Sequence, residues 1–179
     1  YSHSAVEATQ IALSKLNSNL EYSEIKSLKI RTHWRGKLLS NVSPKTTLAA
    51  KFSMEHILGT TVYHGTADSA AFHSNTLENP DIRKLREKVI ISGYEPEPIW
   101  PNDRPANVTI EFSDGTSASG ECLVAEGSAT RPFAQKQIAA KITNILSEMH
   151  PDLLASLLSI ISLNESTLKT KWSCLVNSY

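Results

Sequence analysis

Residues Pro44–Gly65, PKTTLAAKFSMEHILGTTVYHG, read as a helix entered through a proline and left through a glycine. Pro44 suits a helix entrance, where its missing N–H would have no partner in any case. Leu48, Phe52, Met54, Ile57 and Leu58 recur at helical steps and supply one buried face, and Gly59 or Gly65 offers a place to end. A helix that carries Lys51, Phe52 and Ser53 and is apolar on one face needs a partner layer, which the flanking sequence must provide.

Upstream, Ser4-Ala5-Val6-Glu7 has the form of a capping box and predicts a helix from Ala5. Ala8, Ile11, Ala12, Leu16 and Leu20 carry its inner face to about Asn19. From Ile25 to Thr32, apolar Ile25, Leu28 and Ile30 mix with Lys26, Lys29 and Arg31, an imperfect alternation suited to a half-exposed strand. Downstream, Asn79-Pro80 predicts another helix start, with Ile82, Leu85 and Val89 on its inner side, leading straight into a strand at Val89–Ser92. Tyr94–Pro105 holds four prolines around Trp100 and reads as a loop pinned in extended conformations, placed to cover a site edge. Ala106, Val108, Ile110 and Phe112 alternate with Asn107, Thr109 and Glu111, the period-two signature of a strand with one wet face. Ser113-Asp114-Gly115-Thr116 makes the hairpin turn, and Thr116–Val124 returns. Pro132 opens a last strong helix with Ile138, Ile142, Ile145 and Met149 in one stripe, ended by His150-Pro151. Asp152–Leu163 and Ser166–Val176 predict two more helical segments, whose Leu, Ile and Trp172 positions pack against the main body.

These elements sum to an α+β two-layer sandwich, a mainly antiparallel sheet with helices packed on one side. The expected division is a domain over residues 1–150 and a helical tail over 151–179 packed on the same domain. With 179 residues the chain buries a core without staples. Eighteen basic and eighteen acidic side chains cancel, leaving no broad positive field for nucleic acid or anionic lipid. The longest apolar run, Leu153–Ile161, is far short of the roughly 20 residues that cross a bilayer. Cys122 and Cys174 show no ligand spacing, which points to a reducing, cytoplasmic setting. Tyr1 stands where a start methionine would, so the chain reads as a piece of something longer.

Pro44–Gly65 resembles the P-T-x-x-A-K-F-S helix and following glycine of the MmgE/PrpD family, which includes 2-methylcitrate dehydratase, cis-aconitate decarboxylase and iminodisuccinate epimerase. Asn79-Pro80-Asp81-Ile82, Leu85 and Lys88-Val89 resemble its D-P-x-I-x-x-L-x-x-K-V pattern, and Gly127–Lys141, GSATRPFAQKQIAAK, its glycine, proline and lysine segment. Ile142, where the family commonly has phenylalanine, and the loosely matching tail Asn164–Tyr179 depart from it. The resemblance implies the C-terminal, lid-like α+β domain of a two-domain enzyme, a helical N-terminal domain as partner, and dimers built mainly through that domain. It further implies lyase or isomerase chemistry on small di- or tricarboxylic acids, with no cofactor and no metal.

Such chemistry passes through a carbanion beside carboxylates, which calls for a base with a pKa near the working pH and for cations where negative charge develops. His3, in Ser2-His3-Ser4-Ala5-Val6-Glu7-Ala8, resembles the family's H-x-A-x-(D/E)-A motif, whose histidine lines the active site, and is the catalytic candidate. The resemblance also implies an active-site lysine a few residues before Tyr1. Lys51 is the candidate cation for a substrate carboxylate, although a helix lysine beside a buried Phe52 ordinarily snorkels to water. Arg131, at the expected helix start, is the second substrate-binding candidate. Ser53 has no G-x-S-x-G elbow around it and reads as a helix-bonding serine, which excludes a serine hydrolase. His56, His64 and His73 cluster with Glu55 and Asp68, but His56 and His64 lie eight residues apart rather than one turn, so they read as core or surface histidines and not as a metal site. A non-catalytic binding or assembly module on the same scaffold is the alternative; it predicts polar groups where a severed lid would expose an apolar docking patch.

Overall fold

Strand β1, Ile25–Thr32, is the central member of the sheet in this computed structural model, which describes residues 1–16, 21–147 and 150–176. It pairs in parallel with β2, Val89–Gly93, and antiparallel with β3, Ala106–Phe112, which pairs antiparallel with β4, Ser117–Cys122. The order is β2-β1-β3-β4, so two of three pairings are antiparallel, as expected. A register shift between Ile25 and Ser27 accounts for the imperfect alternation of β1: past the bulge, Leu28, Ile30 and Thr32 all face inward.

The parallel β1/β2 pair demands a crossover, and residues 33–88 supply it. They form α2 (Trp34–Lys37), α3 (Thr47–Lys51), α4 (Met54–His64), a 3-10 turn at Ala70–Phe72, α5 (Ser74–Glu78) and α6 (Pro80–Glu87). With α1, His3–Leu13, the helices α4 and α6 cover one face of the sheet. Ala12, Leu28, Val62, Leu85, Ile110 and Phe112 fill one part of this interface; Ala5, Ala8, Ile30, Met54, Leu58 and Val108 fill the other. The opposite face is polar, with Glu111 accepting from Lys29 Nζ at 2.6 Å and from Ser27 Oγ at 2.7 Å. The α+β class and the helix-covered sheet are therefore as the periodicity predicts.

Several boundaries differ for tertiary reasons. Helix α1 begins at His3, not Ala5, and its N-cap Ser2 makes no side-chain cap bond. Ser4 is buried, and the Glu7 carboxylate, expected to cap, instead accepts the Glu126 N–H at 2.6 Å and the Cys122 thiol at 3.6 Å. The described helix ends at Leu13; Asn19, Leu20 and Met149 lie outside the described residues. The single helix expected through Lys51, Phe52 and Ser53 is two. Phe52 ends α3, and Ser53 caps α4 by accepting the His56 N–H at 2.9 Å, so Met54, Ile57 and Leu58 are buried while Leu48 and Phe52 are exposed. Gly65, at φ +76°, then closes α4 in the left-handed region that a side chain disfavours. Asn79 caps α6 through Oδ1, and Asp114-Gly115 turns β3 into β4, both as read from sequence.

Contacts divide the chain into Tyr1–Glu126, the unit described so far, and Gly127–Tyr179. In the second unit α7, Gln135–Leu146, packs with α8, Pro151–Ile161, and α9 (Glu165–Lys169) and α10 (Trp172–Val176) pack with α8. Helix α7 starts three residues later than Pro132, because the Gln137 side chain accepts the Ala134 N–H at 2.7 Å and fixes the entrance there. Its stripe is not buried: Ile138 and Ile145 are exposed, and so is Trp172, expected to pack inward.

Candidate active site

At one end of the first unit the carboxyl ends of β1 and β2 meet the amino ends of α1 and α4, since Ala5, Met54, Ala106 and Ile30 share a core cluster with Ile91 against it. Crevices beyond the carboxyl ends of parallel strands are where α/β sheets hold ligands. His3 is the first residue of α1 and is exposed at this end.

At the carboxyl end of β1 the chain runs into His33, which is 1% exposed. Its Nδ1 accepts the Gly36 N–H at 3.3 Å and so caps α2. That leaves the proton on Nε2, which donates to the Tyr1 carbonyl at 3.0 Å, two residues before His3. The Tyr1 ring meets the imidazole edge-on, with centroids 6.0 Å apart, and lies under two guanidinium groups, Arg104 at 5.3 Å and Arg35 at 5.9 Å. Asp103 bridges both arginines, with Oδ2 3.4 Å from Arg35 and Oδ1 3.6 Å from Arg104. Glu97 accepts the Trp34 N–H at 3.3 Å, so the proline-rich loop is fastened to α2 by Glu97 and Asp103 and does border the end where His3 stands. Lys37 lies over Gly93, at the end of β2. These pairs are partly solvated and orient side chains more than they stabilise the fold.

Lys51 ends α3 and is exposed; α3 packs on α4, α5 and the Ala70–Phe72 turn, whereas α1 packs on β3, β4 and α4. His3 and Lys51 thus stand on elements linked through α4, with different neighbours. Phe52, read as the buried residue beside Lys51, is itself exposed. Arg131 belongs to the second unit, where its carbonyl accepts the Gly127 N–H at 2.7 Å and its N–H donates to Ser128 O at 3.1 Å. The later start of α7 leaves Arg131 in this turn and not at the helix entrance. His33, Arg35 and Arg104 are candidate site residues that the sequence did not single out. Their signal was slight: polar residues immediately after a strand, and an Asp-Arg pair in a loop already expected to border a site.

The histidine cluster resolves into a core histidine. His56 is fully buried; its Nδ1 accepts from Arg86 at 3.2 Å and its Nε2 donates to Ala71 O at 3.1 Å, which ties α4, α6 and the Ala70–Phe72 turn together. Buried Ser53 bonds to its own helix, as expected, by accepting the His56 N–H at 2.9 Å, and also to the preceding loop, where its Oγ donates to Asn41 O at 2.6 Å. Buried Glu55 accepts from Ser40 Oγ at 2.6 Å and Asn41 N at 2.7 Å, clamping the loop before α3 onto the start of α4.

Burial holds both His33 and His56 below the ordinary imidazole value of 6.5, against the opposing effect of the carbonyls they bond. The folded protein keeps them neutral while the unfolded chain takes up protons near 6.5. Their stabilisation is therefore complete above that pH and is lost as pH falls through the depressed folded values. Thermal melts are expected to show Tm level from pH 8 to about 6.5 and falling below it, at about 1.4 kcal/mol per unit of displacement for each histidine. In a His56→Gln variant the acid loss should shrink; an unchanged slope would refute this account.

The profile of the MmgE/PrpD C-terminal domain matches residues 1–163. The chain belongs to this family. A search of curated proteins finds no match. A C-terminal domain of this family implies a companion N-terminal domain in the full protein. No described helix is long and apolar enough to cross a membrane.

Proposed function

We propose that this chain is the lid-like half of a metal-independent lyase or isomerase of small di- or tricarboxylic acids, working through a carbanion next to a carboxylate. In this reading His3 moves the proton at that carbon, and the upstream lysine and Lys51 contribute cationic groups for the substrate carboxylates. The helical N-terminal domain completes the pocket and builds a homodimer, in a cytoplasmic setting. The observation that supports the reading is the placement of His3: exposed at the first turn of α1, two residues after the Tyr1 carbonyl that buried His33 holds, at the end bordered by Arg35 and Arg104. An imidazole titrates near neutrality, and fixed cations lower the cost of the developing enolate charge.

One surface feature favours a lid over a free-standing module. Trp34, Leu38, Val42, Leu48 and Phe52 are all exposed between β1 and α4, where a domain adapted to live alone carries polar groups. By itself the chain is expected to turn over nothing, because a lid cannot assemble the oriented, water-excluded site. The test is the full-length protein with cis-aconitate, 2-methylcitrate and iminodisuccinate, followed by double-bond absorbance or, for epimerisation, by chiral separation. Turnover of one of these acids by the full protein and not by the isolated chain supports the reading; inertness toward all of them refutes it.

A further inference from the structure

We infer that His33 is a positioning residue that aims His3, an inference resting on the catalytic reading of His3. Two observations carry it. The imidazole is almost wholly buried, and each of its nitrogens is used for a different purpose: Nδ1 caps α2 through the Gly36 N–H, while Nε2 grips the Tyr1 carbonyl. The second bond is not needed for the cap. It joins the end of β1 to the backbone entering α1 across 32 residues of sequence, and Tyr1 lies two residues before the exposed His3. Ser2 contributes no side-chain cap bond, and His33 holds the backbone just ahead of His3 from outside the helix. A base held on one helix turn reacts at the speed its aim permits, and a shift of about 1 Å costs up to roughly 100-fold.

The two functions separate chemically. Asparagine places an oxygen near the Nδ1 position and is a favoured N-cap, but it is too short to reach Tyr1. Glutamine places an N–H near the Nε2 position and reaches the carbonyl, but caps poorly. In the full-length protein, His33→Asn keeps the α2 cap but gives up the ring's burial and the Tyr1 bond, so its Tm is expected to fall, and kcat to fall about 10- to 100-fold with KM little changed. His33→Gln is expected to lower the Tm and keep most of kcat. A merely structural histidine would move kcat and Tm together in both variants, and that result overturns the inference. In a His3→Ala background, His33→Asn should cost nothing further. The His3 amide and ring resonances of a labelled protein should shift in His33→Asn; if they stay in place, the inference fails whatever the kinetics. Should His3→Ala lose turnover while His33→Asn keeps it, only the positioning role falls. Should His3→Ala itself leave turnover intact, the catalytic reading falls and this inference with it.

Discussion

Alanine at His3 in the full-length protein is expected to lower kcat by about 10²–10⁴-fold, the usual worth of a positioned general acid or base, and to leave the Tm in place. The stability half of this expectation follows from the structure. His3 is exposed, the helix it begins draws its hold from buried Ala5, Ala8 and Ala12, and the imidazole supplies none of that burial. The kinetic half follows from what a carbanion next to a carboxylate requires, since without a group to take the proton the remaining cations only bind. KM should move little, because the loss is of an interaction made in the transition state. A His3→Ala enzyme with wild-type kcat would remove the catalytic assignment.

Adding one methyl group at Gly120 should be among the most damaging single changes in the first unit. A Cβ built there lies 2.0 Å from the Ala8 carbonyl oxygen and 2.6 Å from the Ala12 nitrogen, which are backbone atoms of α1 and cannot rotate away. Helix α1 lies directly on β4 because Ala5, Ala8 and Ala12 on one side and Gly120 on the other present almost nothing between the two backbones. Gly120→Ala must push helix and strand apart along the Ala5-Ala8-Cys122 cluster, at or beyond the upper end of the roughly 1–3 kcal/mol that overpacking costs. For a unit of this size that is a drop of more than 10 °C in Tm. Gly115→Ala is the control: its φ of +88° strains a side chain, but nothing lies within 4 Å, so its loss should be smaller. Equal melting of the two variants would show that α1 and β4 are not in this contact.

Where side chains answer to neighbours in sequence, the fold was readable. β3 alternates because one face is wet, Asn79 caps α6 with its own side chain, and Asp114-Gly115 turns the hairpin. Where a side chain answers to a distant partner, the reading failed. Ser4 and Glu7 match a capping box, yet Glu7 is taken by the chain beyond β4, and the break at Phe52-Ser53 depends on the bond Ser53 donates to Asn41 and those Glu55 accepts from Ser40 and Asn41. The parallel pairing of β2 with β1 has no local signature either. The site divides in the same way. His3 was legible only through the family motif, and nothing in the sequence announces that the histidine after β1 bonds back to Tyr1.

Strand β2 forms an outer border of the sheet, with one row of amides paired to β1 and the other row turned outward. Such borders recruit foreign strands and seed fibrils. This one spans only five residues, has Lys88 immediately before it, and gives way to Pro96 and Pro98 soon after. It therefore makes a poor template for ordered stacking. A preparation of this chain alone that clouds on concentration should do so by greasy, amorphous clumping through exposed Trp34, Leu38 and Phe52, without binding thioflavin.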